Sequence, residues 1–150
     1  MKLLLAVAFG IAVVVLLAPG CKKGNSTDTY SPNMIATIND SVFSVTDPSQ
    51  ISASKAVSGT NTYLYIYGES GTGELIKISI INNTGPATIQ FVGSNASAYY
   101  YPSGLTNPYS QAVSGSVTLT SVTPSLVGTF NFTCADGTQV KNGSFLVLAP

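Results

Sequence analysis

The chain has 150 residues and no formal net charge, with six lysines against six acidic residues and neither arginine nor histidine. This composition excludes serine–histidine catalysis, and it offers no cluster of cations of the kind that nucleic-acid binding needs. Without histidine, and with acidic residues scattered along the chain, we also predict no metal site, no cofactor and no nucleic-acid partner.

Residues 1–20 have the composition of a lipoprotein signal peptide. Lys2 supplies a positive charge, residues 3–18 are apolar, and small residues precede Cys21. A helix over this run would be about 24 Å long, which is shorter than the hydrocarbon core of roughly 30 Å. The segment resembles the lipobox of bacterial lipoproteins, which implies cleavage after Gly20 and a lipid on Cys21. A plain signal peptide or an uncleaved anchor is the alternative.

The rest of the chain divides into a short tether and one domain. Residues 21–32 are rich in Ser, Thr, Asn and Lys, a composition typical of a flexible tether. Residues 33–150 are long enough for a single domain with a hydrophobic core. In this part apolar residues recur with a period of two between frequent turn residues. We therefore predict an all-β fold, an antiparallel sandwich or barrel of about nine to ten short strands arranged largely as a meander.

Alternation and turn residues place the strands. In chain order the predicted strands cover residues 34–38, 42–45, 51–57, 62–67, 74–81, 87–92, 98–101, 116–122, 126–134 and 138–148. The fourth strand shows the strongest alternation, because Tyr63, Tyr65 and Tyr67 share one face while Leu64 and Ile66 share the other. Since both faces are suited to packing, we predict that this strand is central.

The C-terminal hairpin carries the clearest strand signal in the chain. Apolar residues alternate with threonine and asparagine up to Cys134, which is in phase with the apolar face and is predicted to be a buried structural residue. Asp136 and Gly137 supply the positive φ angles of a tight turn. Asn142 and Gly143 interrupt the returning strand, either as a bulge or as a second turn. A hairpin with one apolar face needs a second layer to cover it.

Four tyrosines near the middle of the chain are the candidate ligand-binding residues: Tyr99, Tyr100, Tyr101 and Tyr109. Because side chains alternate along a strand, some of these rings must point outward. Exposed aromatic rings frequently mark a binding surface, and they are suited to stacking against sugars. Ordinary packing, with the hydroxyl groups at the wet edge of the domain, is the alternative.

A different hypothesis concerns the carboxylates. Asp47, Glu69 and Glu74 could converge in space as the paired acids of a glycoside hydrolase do. All three fall at predicted turns or strand ends, where charged side chains are usually solvated. We therefore predict that the chain is not an enzyme, and a carboxylate-dependent hydrolase is kept as the second alternative.

Several motifs together suggest a family. Besides the lipobox they are MIATIN at 34–39, GTFNF at 128–132, DGT at 136–138 and NGSF at 142–145. These motifs resemble a family of small Bacteroidetes lipoproteins of unknown function, over about residues 33–148. The resemblance implies a cell-envelope β-protein without catalytic residues. Lys22 and Lys23 stand where a surface-export signal in that phylum would be acidic, which favours the outer membrane and its periplasm-facing leaflet.

These observations lead to one expected function and, besides the hydrolase, to one other alternative. We expect a non-catalytic binding or interaction module, held at the membrane by its lipid and directed to a glycan or an envelope protein. The alternative is more specific, a carbohydrate-binding accessory lipoprotein that uses its exposed tyrosines.

Overall fold

A computed structural model describes residues 30–93, 95–102 and 108–150. The predicted signal peptide, Cys21 and most of the predicted tether lie outside the described residues. The described residues form antiparallel β-strands and include no helix, which confirms the predicted all-β class. In this part of the chain there is consequently no helix long and apolar enough to cross a membrane.

The strands are β1 (Asn33–Ile38), β2 (Ser41–Val45), β3 (Ile51–Ser58), β4 (Asn61–Glu69), β5 (Leu75–Ile81), β6 (Ala87–Gln90), β7 (Ala96–Tyr101), β8 (Ser110–Ser121), β9 (Ser125–Cys134) and β10 (Gln139–Leu148). Each of them corresponds to a predicted strand. The largest difference is at β8, which begins at Ser110 rather than at residue 116. The predicted strand begins just after Gly115, whereas the structure accommodates this glycine within the strand, just after a shift in register.

The strands hydrogen-bond into one sheet in the order β2-β1-β10-β9-β8-β7-β5-β4-β3, with β6 paired to β8. The predicted meander holds for β3–β5 and for β7–β10, whereas β1 and β2 add to the far side of β10. The two edge strands, β2 and β3, are consecutive in the chain and are joined by residues 46–50. A connection this short spans at most about 18 Å, so the sheet must curl until its edges approach. The result is a strongly curled half-barrel.

The core fills the inside of this curl. The side chains that are almost fully buried come from both halves of the sheet and include Phe43, Phe132, Phe145, Met34, Ile66, Ile76, Ile78, Ile80, Leu119 and Leu126. Phe132 contacts Phe91 edge to face, with ring centroids 5.7 Å apart. Cys134 is buried as predicted, and burial raises the pKa of its thiol to about 11.

The structure decides between the two alternatives for Asn142 and Gly143. The register between β10 and β9 shifts between Val140 and Gly143, and the strand continues on both sides, so this feature is a bulge. Asn142 adopts a left-handed conformation with φ of 52°. A Cβ on Gly143 would lie 2.4 Å from the Phe130 ring, which explains why the smallest residue occupies this position.

A tyrosine face as candidate functional site

The outer surface of strands β4, β5 and β7, together with the residue before β8, carries a group of aromatic side chains around one cation. We term it the tyrosine face, and its members are Tyr63, Tyr65, Tyr67, Lys77, Tyr99, Tyr101 and Tyr109. It exists because the sequence alternates along each strand. In β4 the intervening residues Leu64 and Ile66 point into the core, which turns every tyrosine outward.

Three tyrosines form a row along β4. The ring centroids of Tyr63 and Tyr65 are 6.1 Å apart and the rings are nearly parallel, with an interplanar angle of 7°. Tyr65 and Tyr67 are 6.2 Å apart and tilted by 36°. These rings are half-buried. Tyrosine has a high strand propensity and fits a half-buried sheet surface, so the row is compatible with a stable strand.

Lys77 joins this row to the next. The strand register pairs Tyr67 with Lys77 and Lys77 with Tyr99, which places the lysine between aromatic residues on both neighbouring strands. The distances from its Nζ atom to the ring centroids are 5.3 Å for Tyr65, 5.6 Å for Tyr67 and 5.9 Å for Tyr99. Each lies within the range of a cation–π contact, so three rings hold the ammonium group at the centre of the face.

The second row consists of Tyr99, Tyr101 and Tyr109. The Tyr109 ring lies 5.3 Å from that of Tyr99 and 5.4 Å from that of Tyr101. Tyr109 is 56% exposed, whereas Tyr101 is only 8% exposed. Burial raises the pKa of the Tyr101 hydroxyl, and the positive charge of Lys77 partly opposes this shift. Tyr109 is thus the most accessible ring of the second row.

Tyr100 is not part of the tyrosine face. As the residue between Tyr99 and Tyr101 it points to the opposite side of β7, where it is buried against the core. Its hydroxyl donates a 2.6 Å hydrogen bond to the Oε1 atom of Glu74. Burial, followed by this carboxylate, raises the pKa of Tyr100 above the usual value for tyrosine. Of the four candidate tyrosines, the structure therefore brings three together and gives Tyr100 a different environment.

Tyr63, Tyr65, Tyr67 and Lys77 are not among the candidate residues that the sequence predicts. The three tyrosines are predicted to pack, because a strand with two apolar faces is typical of the centre of a sheet. Their common phase was visible in the sequence, but the register that sets Lys77 between β4 and β7 depends on pairing that a single sequence does not specify.

Three of the cavities on the described surface lie away from the tyrosine face. One of about 730 Å³ lies over β8–β10 and is lined mainly by polar residues such as Asn131 and Lys141. One of about 460 Å³ is largely apolar and lies between Ile51 and Val147. The third cavity, of about 450 Å³, is lined by the carboxylates of Asp47 and Glu69 among other residues. No residue of the tyrosine face lines any of the three.

Of the three carboxylates of the hydrolase hypothesis, the structure brings two to one cavity and places the third elsewhere. Asp47 and Glu69 line the third cavity, whereas Glu74 accepts hydrogen bonds from Tyr100 and Thr72. The backbone N–H and hydroxyl of Ser49 hold the pKa of Asp47 below its usual value. A catalytic acid of a glycoside hydrolase needs the opposite shift, a raised pKa. Within the described parts of the chain, no three Cys, Asp or Glu residues are grouped so that they could hold a metal ion.

Comparison of the chain with protein families, with curated proteins and with solved structures found no match in any of the three. The resemblance to Bacteroidetes lipoproteins therefore stays a prediction. The tyrosine face is the feature from which a function can be inferred.

Proposed function

We propose that the chain is a non-catalytic, carbohydrate-binding lipoprotein of the cell envelope, and that the tyrosine face is its binding surface. The observation that carries this proposal is the gathering of six tyrosine rings and Lys77 on one outer surface. A tyrosine ring offers an apolar surface with a polar hydroxyl at one end. A sugar ring likewise combines apolar C–H groups with hydroxyls at its edge, so the two surfaces are chemically complementary.

The position of the face favours an extended ligand over a small molecule. Small ligands bind in concave sites that bury most of their surface. The tyrosine face lies outside the three cavities and on the outer side of a curled sheet. A polymer can instead lie along such a surface and contact several rings at once, so that many weak contacts add up to useful affinity.

The composition of the face favours a glycan over a protein partner. The centres of protein interfaces are enriched in tyrosine but depleted of lysine, and this face has a lysine at its centre. Of the aliphatic residues on the same surface of β5, Leu75 is 4% exposed and offers almost no contact area, and Ile81, beside Tyr63, is only partly exposed. Rings and hydroxyl groups therefore provide most of the accessible chemistry.

Replacing Cys21 by Ala is expected to release the protein from the membrane fraction, because the predicted lipid on this residue is its proposed anchor. Cell fractionation of the wild type and the variant measures this directly. A variant that remains in the membrane fraction would show that the lipid does not hold the chain there. With the anchor in place, a tether over residues 21–32 reaches at most about 40 Å, which would keep the tyrosine face near envelope glycans.

Replacing Tyr99 and Tyr109 by Ala, one at a time, is expected to weaken glycan binding about tenfold each, because each change removes one stacking ring. Binding of the full-length protein in detergent to a panel of neutral and acidic polysaccharides would be measured by affinity electrophoresis. Tyr100→Phe is the matched control. It removes the hydroxyl of the tyrosine that faces away, so it should leave binding unchanged while it loses the hydrogen bond to Glu74.

The same experiment separates the competing functions. A wild-type protein that binds no polysaccharide of the panel contradicts the glycan proposal. In that case a protein partner would be the remaining ligand for the face. Cleavage of a bound polysaccharide that Asp47→Asn or Glu69→Gln abolishes would support the hydrolase instead and would contradict a non-catalytic role.

A further inference from the structure

We infer that the tyrosine face selects an acidic polysaccharide, one that carries uronate carboxylates, and that Lys77 is the residue that determines this specificity. The inference rests on the proposed glycan-binding function and adds the chemical class of the glycan. It depends on three observations: the position of Lys77, the way its ammonium group is held, and the distribution of charge around it.

Lys77 lies where a ligand that covers both tyrosine rows must pass over it. It is in register with Tyr67 on one side and Tyr99 on the other, so it lies directly between the two rows. Neighbouring strands are about 4.8 Å apart. A sugar that bridges the rows therefore comes within reach of the ammonium group.

The ammonium group of Lys77 is held in place and keeps its hydrogen-bonding capacity. Its contacts are with the rings of Tyr65, Tyr67 and Tyr99, and these are cation–π contacts. Such contacts act on the charge and leave the three N–H donors free to bind an oxygen atom. Because the rings already restrict the side chain, a ligand carboxylate that accepts these hydrogen bonds would cost little additional side-chain entropy.

The charge around Lys77 favours an anion at the centre of the face. The other lysines of the described residues, Lys55 and Lys141, lie on β3 and on β10 and are not members of the face. The acidic residue on the same side of β4 is Glu69, which pairs with Leu75 and so lies at the rim, beyond Tyr67. The centre of the face is therefore cationic, and a carboxylate would be drawn to Lys77 and away from Glu69.

A structural role for Lys77 is the competing explanation. A charged residue on a sheet surface keeps exposed aromatic rings from pairing with other chains. In that role Lys77 would keep the protein soluble, but the protein would not need to distinguish an acidic glycan from a neutral one. A measurement of this discrimination therefore separates the two explanations.

The test compares each polymer with its methyl ester, which lacks the carboxylate charge. The probes are polygalacturonate, alginate and hyaluronan, each as the acid, ionised at neutral pH, and as its methyl ester, bound to the full-length protein in detergent at low salt. We expect the wild type to bind at least one of the acids about fivefold more tightly than its ester. Lys77→Gln should abolish this preference, and Lys77→Arg should retain it. Glu69→Gln should increase it, and the matched control Lys141→Gln should leave it unchanged.

A second measurement uses the wild type alone. Its preference for the acid should decrease as salt is raised from about 0.05 to 0.5 M, because salt screens exposed charges. Equal binding of acid and ester, or a preference that persists unchanged in Lys77→Gln, overturns the inference and leaves the glycan-binding function intact. If neither form of any polymer binds, and the neutral polysaccharides of the earlier panel do not bind either, the glycan-binding function itself is wrong.

Discussion

Replacing Gly115 by Ala is expected to lower the free energy of unfolding by about 3 kcal/mol or more. Gly115 has a φ of +110°, a conformation that residues with a Cβ rarely adopt. A Cβ built at this position would lie 2.1 Å from the carbonyl oxygen of Asn131 and 2.5 Å from the Cα of Phe132. Both atoms belong to the backbone of β9, so no side-chain rotation can relieve the contact. Urea denaturation of the wild type and the variant measures the loss.

The same substitution should also disturb the tyrosine face. Gly115 follows the point where the register of β8 against β9 shifts, between Ala112 and Ser114. N-terminal to that shift, β8 pairs with β7, and Tyr99 is opposite Gln111. If the bulge cannot form, the start of β8 loses its alignment with β7, and Tyr109 loses its position beside Tyr99. We therefore expect any folded fraction of the variant to bind glycan more weakly than the wild type.

Gly71→Ala is the matched control for this prediction. A Cβ at Gly71 would have no atom within 4 Å, and its φ lies outside the left-handed region. An exposed change of this kind usually alters stability by less than about 0.5 kcal/mol. If Gly115→Ala unfolded at the same urea concentration as Gly71→Ala, the result would contradict the close approach of the β8 and β9 backbones at Gly115.

The strands themselves were predictable because the physical signal for them is local. In β9 every second residue from Leu126 to Cys134 is buried, as the alternation in the sequence indicates. Turn residues mark the ends of such strands, and Asp136 and Gly137 lie in a turn as predicted, but only Gly137 has a positive φ, of 88°; Asp136 does not. Strand periodicity and turn conformation both depend on residues that are neighbours in the chain, so both can be predicted from a single sequence.

The strand order was not predictable, because pairing depends on contacts far apart in the chain. The turn residues Asn39 and Asp40 predict that β1 and β2 form a hairpin, but nothing in the sequence indicates that β1 adds to β10. In the structure Asn39 accepts a hydrogen bond from the backbone of Gln139, one hundred positions further along the chain. Curling of the sheet into a half-barrel follows from this pairing and from the short connection between β2 and β3.

The candidate site was predictable only in part, because alternation along a strand is local whereas the pairing of strands is not. Alternation shows that Tyr99 and Tyr101 share a face and that Tyr100 points away, but it does not say which side is the outer one. The structure shows that Tyr100 is on the core side, where its hydroxyl donates a hydrogen bond to Glu74 in the connection between β4 and β5. The position of Lys77 between the two tyrosine rows could not be predicted, because it depends on the register of β4, β5 and β7, which the sequence does not specify.

Replacing both Tyr65 and Tyr67 by Thr is expected to weaken glycan binding by about a hundredfold or more, the largest loss of any change on the tyrosine face. Each ring contributes about tenfold through stacking. Threonine keeps the strand propensity of β4, so the strand should form. The two rings also provide two of the three contacts that hold the ammonium group of Lys77, at 5.3 and 5.6 Å. Their removal therefore also affects the proposed charge contact with the ligand.

This coupling can be measured. If the rings position Lys77, then Lys77→Gln should cost much less affinity for an acidic glycan in the Tyr65→Thr/Tyr67→Thr background than in the wild type, and a double-mutant cycle gives the difference. Val57→Thr, at a residue 74% exposed on neighbouring β3, is the control for a surface change outside the face. Independent, additive losses would mean that the rings and the lysine contact the ligand separately. Full affinity in the double variant would exclude the β4 row from the site, because a ligand that lies across both rows cannot lose one of them without losing contacts.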